Sequence, residues 1–119
     1  MNVAVLGASP KPDRYSNKAV RMLIQRGHQV YPVTPGHPVI EGISTVGKLS
    51  ELRDPIDTVT VYVGPKHIGP LIPEIVAVKP RRVIANPGAE SPELAKALKD
   101  AGIGYVEACT LVMLGTGQF

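Results

Sequence analysis

The sequence predicts a three-layer α/β domain, a five-stranded parallel sheet with helices packed on both faces. Three observations carry that expectation. Short β-branched runs alternate with segments of helical periodicity along all 119 residues, with no repeat and no linker between them. The strand-like runs are mostly apolar throughout, as expected of strands buried on both faces. Glycine and proline, twelve of each, stand singly at the ends of these runs, where they read as turn punctuation. Val, Ile and Leu supply 33 residues, enough to build one core, and a chain of this length holds one domain.

The first strand covers residues 2–6 and is closed by Gly7. Helical spacing starts near Ser16, a candidate N-cap, with Ala19, Val20, Leu23 and Ile24 opposite Lys18, Arg21 and Gln25. Gly27 suits the position just past the last turn. The second strand, 29–33, ends at Thr34-Pro35-Gly36. Residues 36–55 are irregular, with at most a short strand and one helical turn around 48–52. The third strand, 58–63, alternates Val59, Val61 and Val63 with Thr58, Thr60 and Tyr62 before Gly64-Pro65. The next helix is predicted to begin near Gly69. Pro70 and Pro73 then fall in its first turn, where a missing N–H costs no intrahelical bond. Leu71, Ile72, Ile75 and Val76 form its apolar face, and Pro80 ends it. The fourth strand, 82–85, closes with Asn86-Pro87-Gly88. Ser91-Pro92-Glu93 opens the last clear helix as N-cap, first-position proline and first-turn acid. Its core face is Leu94, Ala97, Leu98 and Ala101, and Gly102 ends it. The fifth strand is 105–109, and residues 111–119 are too short and glycine-interrupted to assign. Strands and helices in this alternation form βαβ units, and hence a Rossmann-like sheet.

Composition narrows the function classes. Thirteen basic residues against ten acidic leave a net charge of +3, which permits an anionic small ligand without calling for DNA or a membrane. Four Tyr, one Phe and no Trp are too few for the aromatic platforms on which nucleic-acid bases stack. A single cysteine, Cys109, excludes internal disulfides and a multi-cysteine zinc site, and it reads as a small buried core residue. No apolar run approaches the ~20 residues of a membrane span. The chain opens directly into a strand, so a soluble cytoplasmic domain is expected. His28, His37 and His67 lie on separate segments without metal spacing. Ser9 lacks the second glycine of a nucleophile elbow, and no catalytic residue is assigned.

A ligand of such a sheet binds outside the carboxyl ends of the strands, where the strand order reverses. The loop after the first strand carries Ser9, Ser16 and Asn17 as hydrogen-bonding groups and Lys11 and Arg14 as charges, next to a helix N-terminus that favours phosphate. The dinucleotide fingerprint is absent, because Ser9 and Pro12 stand where its glycines belong. Residues 14–40 contain no acid to hold a ribose 2′-hydroxyl, but they hold Arg14, Lys18, Arg21, Arg26, His28 and His37. That pattern suits NADP or coenzyme A better than NAD, although Lys18, Arg21 and Arg26 mostly solvate the outer helix face.

The opening Gly7-Ala8-Ser9-Pro10-Lys11-Pro12-Asp13-Arg14 resembles that of the small stand-alone CoA-binding domain proteins. Val33-Thr34-Pro35-Gly36 is similar to the second-strand turn of the N-terminal domain of succinyl-CoA synthetase alpha subunits. Tyr62-Val63-Gly64-Pro65 resembles that domain's third-strand exit, and Asn86-Pro87-Gly88-Ala89-Glu90 fills the remaining slot. The resemblance spans nearly the whole chain and implies coenzyme A or an acyl-CoA, held without catalysis by a carrier, sensor or enzyme partner. It implies Ser9, Pro10 and Lys11 at the phosphates, and Thr34, Pro35 and His37, with Val33, at the adenosine end. Val63, Gly64, Pro65 and Lys66 with Ala85, Asn86 and Pro87 fall at the pantetheine. Two positions depart from the pattern: His37 replaces the synthetase lysine, and Thr110 replaces the proline after the strand-five cysteine. An NADP-dependent or nucleotide-sugar-handling enzyme domain, and an interaction module that has lost its ligand, are the alternatives.

Overall fold

In the computed structural model, which describes residues 1–119, strand β1 (Asn2–Leu6) lies inside the sheet. Its alternate residues enter different cores. Val3 and Val5 pack with Val20, Leu23, Val30 and Leu114 on one face. Ala4 and Leu6 pack with Ile68, Ile75, Leu94 and Leu98 on the other. A continuous apolar run is what a strand covered on both faces requires.

Helix α1 (Tyr15–Gln25) leads to β2 (Gln29–Val33), and β5 (Thr58–Val61), β6 (Arg82–Ala85) and β7 (Gly104–Glu107) complete a sheet in the order β2-β1-β5-β6-β7. Every pairing in it is parallel. The five-stranded parallel Rossmann-like sheet is therefore as expected. Between β2 and β5, strands β3 (Val39–Ile40) and β4 (Ile43–Ser44) form an antiparallel hairpin, where at most one strand was expected. Its two turn residues, Glu41 and Gly42, both have positive φ, the conformation that a tight two-residue hairpin demands. A 3-10 turn, Leu49–Glu51, follows the hairpin.

Other boundaries shift for identifiable reasons. Ser16 is not the cap of α1. That position belongs to Arg14, and Ser16 is buried within the first turn. The third sequence strand stops at Val61, because its neighbour β1 ends at Leu6 and gives Tyr62 one last bond, its N–H to the Leu6 carbonyl at 2.9 Å. The helix expected from Gly69 starts at Pro65 and comes in three pieces: α2 (Pro65–Ile68), a 3-10 turn (Gly69–Leu71) and α3 (Ile72–Val78). Each piece has proline in its first two positions, where no N–H is missed, so the prolines punctuate the helix instead of sharing one first turn. Lys79, left-handed at φ +53°, closes α3 ahead of Pro80.

Helix α4 (Pro92–Asp100) is capped as expected, the Leu94 N–H donating to Ser91 Oγ at 3.1 Å. The last strand is shorter than 105–109, and Cys109 caps a further helix, α5 (Thr110–Gly115), which packs beside α1. Four apolar residues in a row, Leu111 to Leu114, carry no readable helical period. No helix is long and apolar enough to cross a membrane.

Candidate functional site

The chain runs from β1 outward to β2 and returns to β5 on the other side of β1. The crevice of the sheet therefore opens between the exits of β1 and β5. Gly7 makes the first of these exits possible. Its φ is +87°, and a Cβ there would lie 3.0 Å from Val63 Cγ2 and 3.3 Å from the Tyr62 carbonyl carbon. Only glycine satisfies both the dihedral and the approach.

Three hollows line this edge. One of about 320 Å³ lies among Val33, Thr34, Pro35, Lys48, Val63 and Leu71. The next, of about 270 Å³, is bounded by Gly7, Ser9, Arg14, Ser16, Tyr62 and Pro87. The third, of about 390 Å³, lies among Tyr15, Tyr62, Pro87, Cys109, Leu111 and Val112. Gly7 borders the first two, and Tyr15, Tyr62 and Pro87 border the second and third, so the three form one groove.

At its centre, the expected residues divide into those that face the groove and those that hold it. The Gly7 and Ala8 N–H groups both donate to the Val33 carbonyl, at 3.0 and 3.3 Å, so they tie β1 to β2 and are not presented to a ligand. Asn17 is fully buried. Its Nδ2 donates to the Ser9 carbonyl (3.0 Å) and Glu41 Oε2 (3.2 Å), and its Oδ1 accepts from Arg21 Nε at 2.9 Å. Arg21 also donates to the Pro12 carbonyl at 2.8 Å. Asn17 and Arg21 thus brace the loop from beneath. Ser9 Oγ accepts from the Lys11 N–H at 3.2 Å, which leaves its hydroxyl proton directed elsewhere.

Above that brace, the N-terminus of α1 has no side-chain cap and no acid in its first turn. Ser9, Arg14 and Ser16 surround it, and Lys11 and Pro10 are exposed on the same loop. Uncapped first-turn N–H groups and the positive end of the helix dipole together favour an anion.

On the β2 side, Thr34 is anchored by its N–H to the Val46 carbonyl at 2.9 Å, while Val33 is buried and Pro35 is exposed. His37 is exposed and lies outside the hollow; its carbonyl accepts from the Thr45 hydroxyl. Lys48, which sequence reasoning missed, takes the cationic place there. Its N–H and that of Gly47 donate to Glu51 Oε1 at 2.9 and 3.0 Å, fixing the turn that carries it. Val63 lines this hollow. Gly64 caps α2, and Pro65 and Lys66 are exposed on its first turn, away from the groove lining.

On the β6 side, Ala85 and Asn86 are buried and Pro87 is exposed. Asn86 Nδ2 donates to Thr60 Oγ1 (2.7 Å) and the Val61 carbonyl (3.0 Å), and its Oδ1 accepts the Thr110 N–H at 2.8 Å. The Thr60 and Thr110 hydroxyls share a 2.8 Å bond. This seam seats the start of α5 and leaves Cys109 half-buried in the groove wall, not in the core as expected. Tyr15, Tyr62, Leu111 and Val112 were also missed. Leu111 and Val112 lie in α5, whose apolar run carries no period, while Tyr15 opens α1 and Tyr62 follows β5. Burial pushes the Tyr62 phenol up to about 12. Its hydroxyl is buried without a hydrogen-bond partner, so the ring acts as a neutral wall.

A family model described as a CoA binding domain matches residues 1–115. One protein of known crystal structure is 36% identical, with a TM-score of 0.94 over 99% of this chain and 97% of its own. A Thermus thermophilus protein is 34% identical, with a TM-score of 0.90 over 99% of this chain and 90% of its own. YneT, an uncharacterized protein of Bacillus subtilis (strain 168), is 28% identical over 100 residues, 84% of this chain and 74% of its own.

Proposed function

The chain belongs to the CoA binding domain family, and on that premise we propose that it binds coenzyme A along the groove, as a non-catalytic carrier, sensor or enzyme partner. The observation that carries this reading is the uncapped, acid-free N-terminus of α1 at the middle of a groove with a hollow on either side. Coenzyme A has the matching order: a nucleotide, a central pyrophosphate and a long, weakly polar arm. Ser9, Ser16, Arg14 and Lys11 would meet the phosphates. Thr34, Pro35 and Lys48 would take the adenosine end, Lys48 serving where His37 was expected. Tyr62 and Pro87 would flank the arm as it runs toward Cys109. Asn17, Ala85 and Asn86 support these positions from below. NAD fits less well, because Thr34 stands where a ribose-binding carboxylate belongs, and Glu41, just beyond the acid-free stretch, is bonded to Asn17.

The test is calorimetric titration of coenzyme A at several salt concentrations. Exposed charge contacts to phosphate are screened, so wild-type affinity falls as salt rises. Replacing Lys11 and Arg14 together by Ala should weaken binding and flatten that dependence. Full affinity in the double variant would remove the loop from the site.

A further inference from the structure

We propose that the hollow between Tyr62 and the start of α5 receives the acyl group of an acyl-CoA, making a thioester with an apolar chain the preferred ligand. The inference rests on the coenzyme A reading and deepens it. The hollow, about 390 Å³, has no charged side chain in its lining. Its one amide, Asn86, is spent on Thr60, Val61 and Thr110. Cys109 is small and weakly polar, so it leaves room without asking for a partner.

The rim is unusual for a water-filled depression. Tyr15 is 69% exposed and Val112 60% exposed, and both border this one hollow. Single exposed apolar residues need no explanation, but apolar groups gathered around one concavity mark a surface that something covers. The hollow continues from the part of the groove at the α1 N-terminus, through Tyr15, Tyr62 and Pro87. The opposite end differs, with Thr34, Lys48 and Glu74 in its lining. The groove is thus most polar at the α1 N-terminus, and of the two mainly apolar ends only the one toward Cys109 is free of charged side chains, which suits the uncharged chain of an acyl-CoA. No histidine or carboxylate lines the hollow, so a thioester there meets no base to activate an attacking water. Holding the thioester intact agrees with a carrier or sensor.

The experiment is calorimetric titration of the whole chain with coenzyme A and its acetyl, butyryl and hexanoyl thioesters. Each fully buried methylene tightens binding by about fourfold, so hexanoyl-CoA should bind more than tenfold tighter than acetyl-CoA even if the chain is only partly covered. Val112→Asp should bring the hexanoyl-to-acetyl ratio close to one. Binding of all four wild-type ligands with equal affinity, or with affinity falling as the chain lengthens, would overturn the inference and leave the coenzyme A reading standing. Failure of all four to bind would overturn both.

Discussion

Asn86 spends its whole side-chain amide beneath the groove, donating to Thr60 and Val61 and accepting from the first N–H of α5. Truncation to Ala leaves the buried Thr110 N–H without its acceptor and opens a small void. Orphaning a buried polar group in this way costs about 1–3 kcal/mol, read as a lower urea midpoint. An unchanged midpoint would show that the seam contributes little. His28 makes a second residue-scale prediction. Its Nδ1 lies 3.2 Å from the Met1 amino nitrogen, and its ring meets Phe119 edge-on at 5.1 Å. Burial, then the Met1 amino group and Arg82, hold its pKa below the usual imidazole value of 6.5. A folded-state pKa below the unfolded one means that the unfolded chain binds the extra proton first. The stability that neutral His28 confers is therefore complete above pH 6.5 and is lost as the pH falls through the folded value. His28→Gln should remove that part of the loss between pH 7.5 and 5.5 in urea titrations. An identical pH slope in the variant would exclude His28 as its source.

The elements that sequence reasoning placed well are those with strong local signals. β1 carries an unbroken apolar run, and α4 opens on Ser91, Pro92 and Glu93, a cap whose bond is formed. Where it failed, the deciding term was tertiary. Pro70 and Pro73 are compatible with one helix start or with several, and only packing of Ile68, Ile72 and Ile75 into one core selects three short pieces. Ser16 is a good cap by residue type, but the floor of the groove draws it into the first turn and leaves α1 uncapped. The hairpin β3–β4 requires Glu41 at positive φ, which a non-glycine residue seldom adopts and sequence therefore seldom announces. Helix α5 owes its start to Asn86, 24 residues upstream, a contact invisible to any periodic reading. The candidate site divides the same way. Its loops were legible as turn chemistry at strand ends, but which of their side chains face the groove was not. Asn17 and Asn86 look like ligand contacts in sequence because amides bind ligands; both are consumed by the backbone and side chains around them.

At the scale of the whole molecule, the sheet order does the gathering. Parallel strands put every β-to-α turn at one edge, and reversal of direction at β1 separates two of those turns into a groove. The chain contributes a helix N-terminus at the middle of that groove, cationic loop residues around it and an apolar wall on the side of α5. Whether this groove reads coenzyme A is tested most directly by ligand-dependent melting of the intact chain. A ligand bound only by the folded state stabilises it by about 2.7 kcal/mol at one hundred times its dissociation constant. For a domain near this size, that raises the midpoint by on the order of ten degrees. Coenzyme A should produce this rise, NAD should produce almost none, and dephospho-CoA should fall between them if Lys48 and the loop cations read the 3′-phosphate. A large rise with NADP and none with coenzyme A would contradict the account.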